Sequence, residues 1–228
     1  MKKGVKHHLD KMVRKHSRLE GSRPALEQAF AVMEGCFRRG GKLLVCGNGG
    51  SASDAEHIVG ELMKGFRLER PPESAALRRL KGRLPDTAGF PGGPVPACLD
   101  RLQLGLPAIS LVSQTALVTA VLNDLAADAV FAQQVLGYGK PGDVLLGIST
   151  SGGAANVARA MEVARTLGLA TVALTGAGEG RIRAWSDVVL ASPSSATDEV
   201  QEDHVKMYHT LCLMLEEEFF GPQSETEG

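Results

Sequence analysis

Two short loops rich in glycine and hydroxyl side chains constrain what this chain can fold into. Gly47-Asn48-Gly49-Gly50-Ser51 follows the apolar run 42–46, and Ser149-Thr150-Ser151-Gly152-Gly153 follows the run 143–148. Each stands where a strand should hand over to a helix. At such a junction the first helical N–H groups have no partner within the helix, and the positive end of the helix dipole lies behind them. That makes a seat for a phosphate or another anion, and two such seats on one sheet suit a small phosphorylated ligand.

The rest of the chain supplies the scaffold those loops need. Residues 5–39 read as two helices, with Pro24 near the start of the second and Gly40-Gly41 ending it. Strand and helix then alternate. Strands are expected at 42–46, 107–112, 143–148, 170–175 and 188–192. Helices are expected from the first loop to about residue 64, through about 136, over 154–167 and over 197–220. Short Val-, Leu- and Ile-rich runs bounded by Gly and Pro and separated by helices predict a parallel sheet covered on both faces. The fold class is therefore α/β, a doubly wound, Rossmann-like sheet of flavodoxin type, preceded by N-terminal helices. Residues 70–105 interrupt the alternation with six prolines and a basic cluster at Arg78, Arg79, Lys81 and Arg83. So long a connection reads as an insertion packed on the surface or on a neighbouring subunit, with short helices at 74–81 and 98–104.

A chain of 228 residues suffices for one full α/β domain, and its 43% hydrophobic and 22% charged content is that of a globular protein. A formal net charge of −1 gives no electrostatic case for nucleic acid or an anionic membrane. The basic start of the chain lacks the apolar core of a signal peptide, and no segment reaches the ~18 apolar residues of a membrane span. Cys36, Cys46, Cys98 and Cys212 lie far apart without a CxxC pair. They read as reduced thiols of a cytoplasmic protein.

Gly47-x-Gly49-x-x-Ala52 fits a dinucleotide fingerprint, but residues 107–113 hold no acidic side chain for a ribose. The hydroxyls of Ser149, Thr150 and Ser151 suit one phosphate monoester instead. His57 and Glu61 fall at i and i+4, on one face of the helix that the first loop opens. They could share a metal or a substrate, or form a surface ion pair. The last helix carries Asp198, Gln201, His204 and His209. Gln201 and His209 point within about 80° of one another but are separated by roughly 12 Å of helix rise. They could reach one metal only if the helix starts irregularly or if the ligands come from two chains.

Read together, the stretches CGNGGSASDAEHIVGEL (46–62), ND (123–124), GDVLLGISTSG (142–152), ALTG (173–176) and DEVQEDHVKMYH (198–209) resemble the sugar isomerase (SIS) domain family, and within it the bacterial phosphoheptose isomerases. The resemblance spans nearly the whole chain apart from 70–105 and implies a single SIS domain over residues 1–228. It implies zinc as cofactor, held by His57, Glu61, Gln201 and His209. Substrate contacts fall on Asn48, Gly49, Gly50, Ser51, Asn123, Asp124, Ser149, Thr150, Ser151, Asp198 and Gln201. The implied activity is isomerisation of sedoheptulose 7-phosphate to a manno-heptose 7-phosphate through an enediol, with Glu61 as base and His209 as acid partner. It further implies a cytoplasmic homotetramer whose sites lie at subunit contacts, with the N-terminal helices at the interface. The chain departs from the family at Ala154, where a further Ser is usual, at Lys64-Gly65 for Gly-Arg, at Glu199 for Arg, and in the length of 70–105. Two other readings share the fold: a non-catalytic SIS-domain protein that associates with a replication initiator, and an isomerase or sensor for another phosphosugar. Retention of His57, Glu61 and His209 favours the enzyme over the scaffold.

Overall fold

The computed structural model describes residues 1–72 and 102–222. Helices α1 (Lys3–Lys15) and α2 (Arg23–Arg38) come first, joined by a 3-10 turn. They are followed by β1 (Leu43–Gly47), α3 (Gly50–Met63), β2 (Ala108–Ser110), α4 (Thr115–Asp124), α5 (Val130–Tyr138) and β3 (Val144–Ser149). The chain continues with α6 (Ala155–Thr166), β4 (Ala170–Thr175), β5 (Val188–Ala191) and α7 (Thr197–Phe220). The expected strands and helices are present, most with ends moved by a residue or two; β2 is shorter than its apolar run. The helix expected at 74–81 and most of that at 98–104 lie outside the described residues, as does Cys98; residues 102–104 are not helical.

All five strands are parallel, in the order β2-β1-β3-β4-β5. This is the doubly wound, flavodoxin-type order. Every residue of β1 and β3 is buried, because helices cover both faces of the sheet. Alternate residues supply opposite cores. Leu43, Val45, Leu146 and Ile148 face a layer built from α1, α2, α3 and α7. Leu44, Cys46 and Leu145 face α4, α5 and α6 through Val121, Phe131, Val135, Val157 and Met161. On α1 the buried residues Val5, Leu9 and Met12 recur at helical spacing and pack against α7. Cys36, Cys46 and Cys212 are buried free thiols. Among the described residues no helix is long and apolar enough to cross a membrane.

From β1 the chain moves out to β2 on one side, then crosses back to β3 on the other. The order of winding thus reverses between β1 and β3. In open α/β sheets the crevice at such a reversal, outside the carboxyl ends of the strands, is where ligands bind.

Candidate active site

Both glycine- and hydroxyl-rich loops open at this reversal. Gly47, the last residue of β1, is level with Ile148 of β3, so the two loops leave the sheet side by side. Gly49 takes φ +56°, a left-handed value a side chain would strain, and thereby turns the strand directly into α3. Ser51 is buried and its N–H donates to Asn48 O at 3.0 Å. In the second loop Gly152 (φ +67°) presses on Gly180, whose Cα would lie 2.8 Å from any Cβ there. Ser149 is buried, Thr150 half-buried and Ser151 exposed, with Ser151 Oγ accepting the Gly153 N–H at 3.2 Å. Ala154 precedes α6 and supplies no capping side chain. The loops are tied together by an exchange of amide hydrogen bonds. Asn48 Nδ2 donates to Asn156 Oδ1 and Asn156 Nδ2 to Asn48 Oδ1, both at 2.9 Å.

The titratable cluster forms where α3 and α7 pack side by side. His57 Nε2 lies 3.1 Å from Glu61 Oε1 and 3.4 Å from His209 Nε2. Phe66 backs the His209 ring, with centroids 5.4 Å apart. Burial is the main force holding the His209 pKa below its ordinary value; His57 and Arg67 push the same way, and Glu61 pulls it back up. The ring is therefore neutral near pH 7 and able to present a lone pair. Glu61 Oε2 is buried with no hydrogen-bond partner, the Lys64 ammonium standing 4.0 Å away.

A buried carboxylate oxygen without a hydrogen-bond partner, on a residue beside two imidazoles, is chemistry that suits a divalent cation such as zinc. Zinc–nitrogen bonds of about 2.0–2.1 Å at a tetrahedral angle would separate two ligand atoms by roughly 3.3 Å, close to the His57–His209 spacing. In donor type the residues fit. Their present arrangement is nevertheless one of close pairs: among the described residues no three His, Cys, Asp or Glu side chains stand ready to hold one ion.

Gln201 does not join this cluster. Its amide lies over Gly50, where it would collide with any Cβ, about two helical turns before His57 on α3. The large rise between Gln201 and His209 is thus preserved, and Gln201 belongs with the first loop instead. Asp198 is exposed in the first turn of α7. Asn123 and Asp124 end α4, exposed and bonded to each other at 2.7 Å.

Three features of the site escape sequence reasoning. Asn156 is one, since its partner Asn48 is 108 residues away and only the β1–β3 pairing brings them together. A buried ion pair is the second. Arg70 donates to Glu216 from Nε at 3.0 Å and from Nη2 at 2.8 Å, and also binds the carbonyls of Leu62 and Glu61 at the end of α3. The third is Tyr208, whose hydroxyl contacts both Asp54 and His57. Burial pushes the Asp54 pKa up, while the Tyr208 hydrogen bond and His57 pull it back. The i, i+3 spacing of Asp54 and His57 was the available signal.

The chain matches a family model described as SIS domain over residues 7–83 and 98–176. A phosphoheptose isomerase from Trichlorobacter lovleyi is 39% identical over 198 residues, spanning 87% of this chain and 84% of that protein. One from Roseiflexus sp. is 41% identical over 184 residues, 81% of this chain and 77% of that protein. The structure of a phosphoheptose isomerase from Neisseria gonorrhoeae superposes with a TM-score of 0.69 at 32% identity, covering 93% of this chain and 96% of that one. With its sheet order, its paired loops and the match along most of its length, the chain belongs to the SIS domain family, among the phosphoheptose isomerases.

Proposed function

We propose that this chain interconverts sedoheptulose 7-phosphate and D-glycero-D-manno-heptose 7-phosphate through an enediol. The observation that carries this reading is the meeting of His57, Glu61 and His209 where α7 packs against α3, the helix that the first loop opens. Aldose–ketose isomerisation needs a base at the carbon next to a carbonyl and an acid that serves the neighbouring oxygens. Glu61 takes the carbon proton, and the electron pair of the broken C–H bond becomes the enediol double bond. His209, neutral at the outset, takes the proton of the adjacent hydroxyl and delivers it to the former carbonyl oxygen. Return of the first proton to the neighbouring carbon completes the exchange. Ser149, Thr150 and Ser151 hold the phosphate away from the reacting carbons, so that its binding energy orients the sugar.

His57, Glu61 and His209 would hold zinc, which supplies polarisation of the carbonyl and stabilisation of the oxyanion. Gln201 would complete the set by moving from Gly50 or through subunit assembly. Assembly as a homotetramer with sites at subunit contacts is part of the same reading.

Incubation of the purified protein with sedoheptulose 7-phosphate, with zinc or with a chelator, tests it. An aldoheptose phosphate should accumulate with zinc and fall away with chelator. Failure to form aldoheptose with zinc supplied would overturn the assignment of this sugar.

A further inference from the structure

We propose that the cleft between α1 and α7 is a second anion site, one that takes inorganic phosphate and is separate from the seat at residues 149–151. The inference goes beyond the isomerase reading and does not depend on which sugar is converted. Helix spacing brings the side chains together. His8, Lys11 and Lys15 recur at i, i+3 and i+7 on α1, and Lys206 and His209 at i and i+3 on α7. The two helices pack against each other, with Met12 buried among the residues that line the cleft. Arg67, just beyond the end of α3, completes the lining.

The charge of the cleft is one-sided. Lys11, Lys15, Arg67 and Lys206 line it, and among the described residues no Asp or Glu does. Lys206 is answered by Asp203 at 3.7 Å and Glu202 at 3.9 Å. Lys11, Lys15 and the Arg67 guanidinium form no ion pair with any described residue. Cations gathered on one concave wall repel one another and focus their field into the cleft. The histidines register that field. Burial is the main force lowering the His16 pKa, and Lys206 and Lys15 add to it against Asp203. At His8 burial again leads; Glu217 pulls the pKa up, while His7 and Arg67 push it down. A phosphate dianion would meet three unanswered charges here. Arg67 offers a fork of donors suited to phosphate oxygens, and the lysines act as point charges. The Arg67 backbone is fixed, because its N–H donates to Glu216 Oε2 at 2.9 Å. The cleft holds about 170 Å³, the room of about six waters at roughly 30 Å³ each. That suits a compact ion, since pockets for larger organic ligands run to about 300–1,000 Å³. His209 lines the cleft and also reaches His57, so the bound anion would stand beside the titratable cluster.

Equilibrium dialysis of the full chain against radiolabelled inorganic phosphate, at fixed ionic strength and with chelator present, counts the sites. Wild type should bind phosphate at two sites. Lys11→Gln/Lys15→Gln removes two charges that hold no partner, and should weaken one site by about tenfold or more while sparing the other. Thr150→Val/Ser151→Ala should do the reverse. A wild type whose only phosphate survives in the lysine variant would overturn the cleft site, as would a wild type that binds none. A lysine variant with unchanged phosphate binding but an altered light-scattering mass would show that another copy of the chain fills the cleft, and would overturn it too. If the lysine-dependent phosphate is found while sedoheptulose 7-phosphate is not turned over with zinc supplied, the cleft site stands and the isomerase reading falls. If the sugar is converted and no phosphate depends on the lysines, the cleft site alone falls.

Discussion

At the scale of single residues, burial decides what each histidine can do. His209 is kept neutral yet reaches the site, which suits a proton shuttle or a ligand. His204, one turn earlier on the same helix, is fully buried with neither ring nitrogen hydrogen-bonded. Burial pushes its pKa down to about 4, against a weaker upward pull from the Thr175 backbone and Asp203. Between pH 6.5 and 4 the unfolded chain binds a proton that the folded chain refuses. Stability is therefore complete above pH 6.5 and falls as pH drops toward 4, by about 3 kcal/mol at most from this group. Urea denaturation across that range should show the loss, and His204→Leu should flatten it by about one proton. His8 and His16, also lowered chiefly by burial, leave a residual slope of the same sign. A slope unchanged in His204→Leu would contradict this assignment.

At the scale of elements, the geometry depends on ties between segments far apart in sequence. Glu216 on α7 accepts the N–H groups of Phe66 and Arg67 as well as two bonds from Arg70, which in turn binds the last carbonyls of α3. This holds the end of the helix carrying Glu61 against the helix carrying His209. Glu216→Gln keeps the shape but leaves the buried guanidinium without its counter-charge. It should cost about 3–5 kcal/mol, read as a lower denaturant midpoint at unchanged slope. The Asn48–Asn156 exchange ties the two loops in the same way. Asn156→Ala, which removes two exposed neutral hydrogen bonds, should raise KM for the phosphosugar about tenfold and lower global stability by no more than about 2 kcal/mol. Strand and helix positions were legible because apolar runs alternate with helical stretches, and the loops because glycine marks strand–helix turns. The ties were not, since Asn156 pairs across a sheet and Glu216 reads as one more charge in an acidic run. Tyr208 reads simply as a core residue. Helix rise alone did foresee that Gln201 and His209 would stand apart, as they do within one chain.

At the scale of the whole molecule, the histidine cluster sits on α3 and α7, with α1 and α2 packed in the same layer. The tetramer reading predicts a light-scattering mass near four times the 24.1 kDa chain, and a monomer mass would remove that part of the account. The central claim is that Glu61, held in this assembly, removes a proton from the sugar carbon beside the carbonyl. Conversion of sedoheptulose 7-phosphate in deuterated water, followed by proton NMR with wild type and Glu61→Gln, tests it most directly. Wild type should form the aldoheptose phosphate and place solvent deuterium on the carbons that exchange the carbonyl, and Glu61→Gln should lose both by about 100-fold or more. Conversion by Glu61→Gln at the wild-type rate would contradict it.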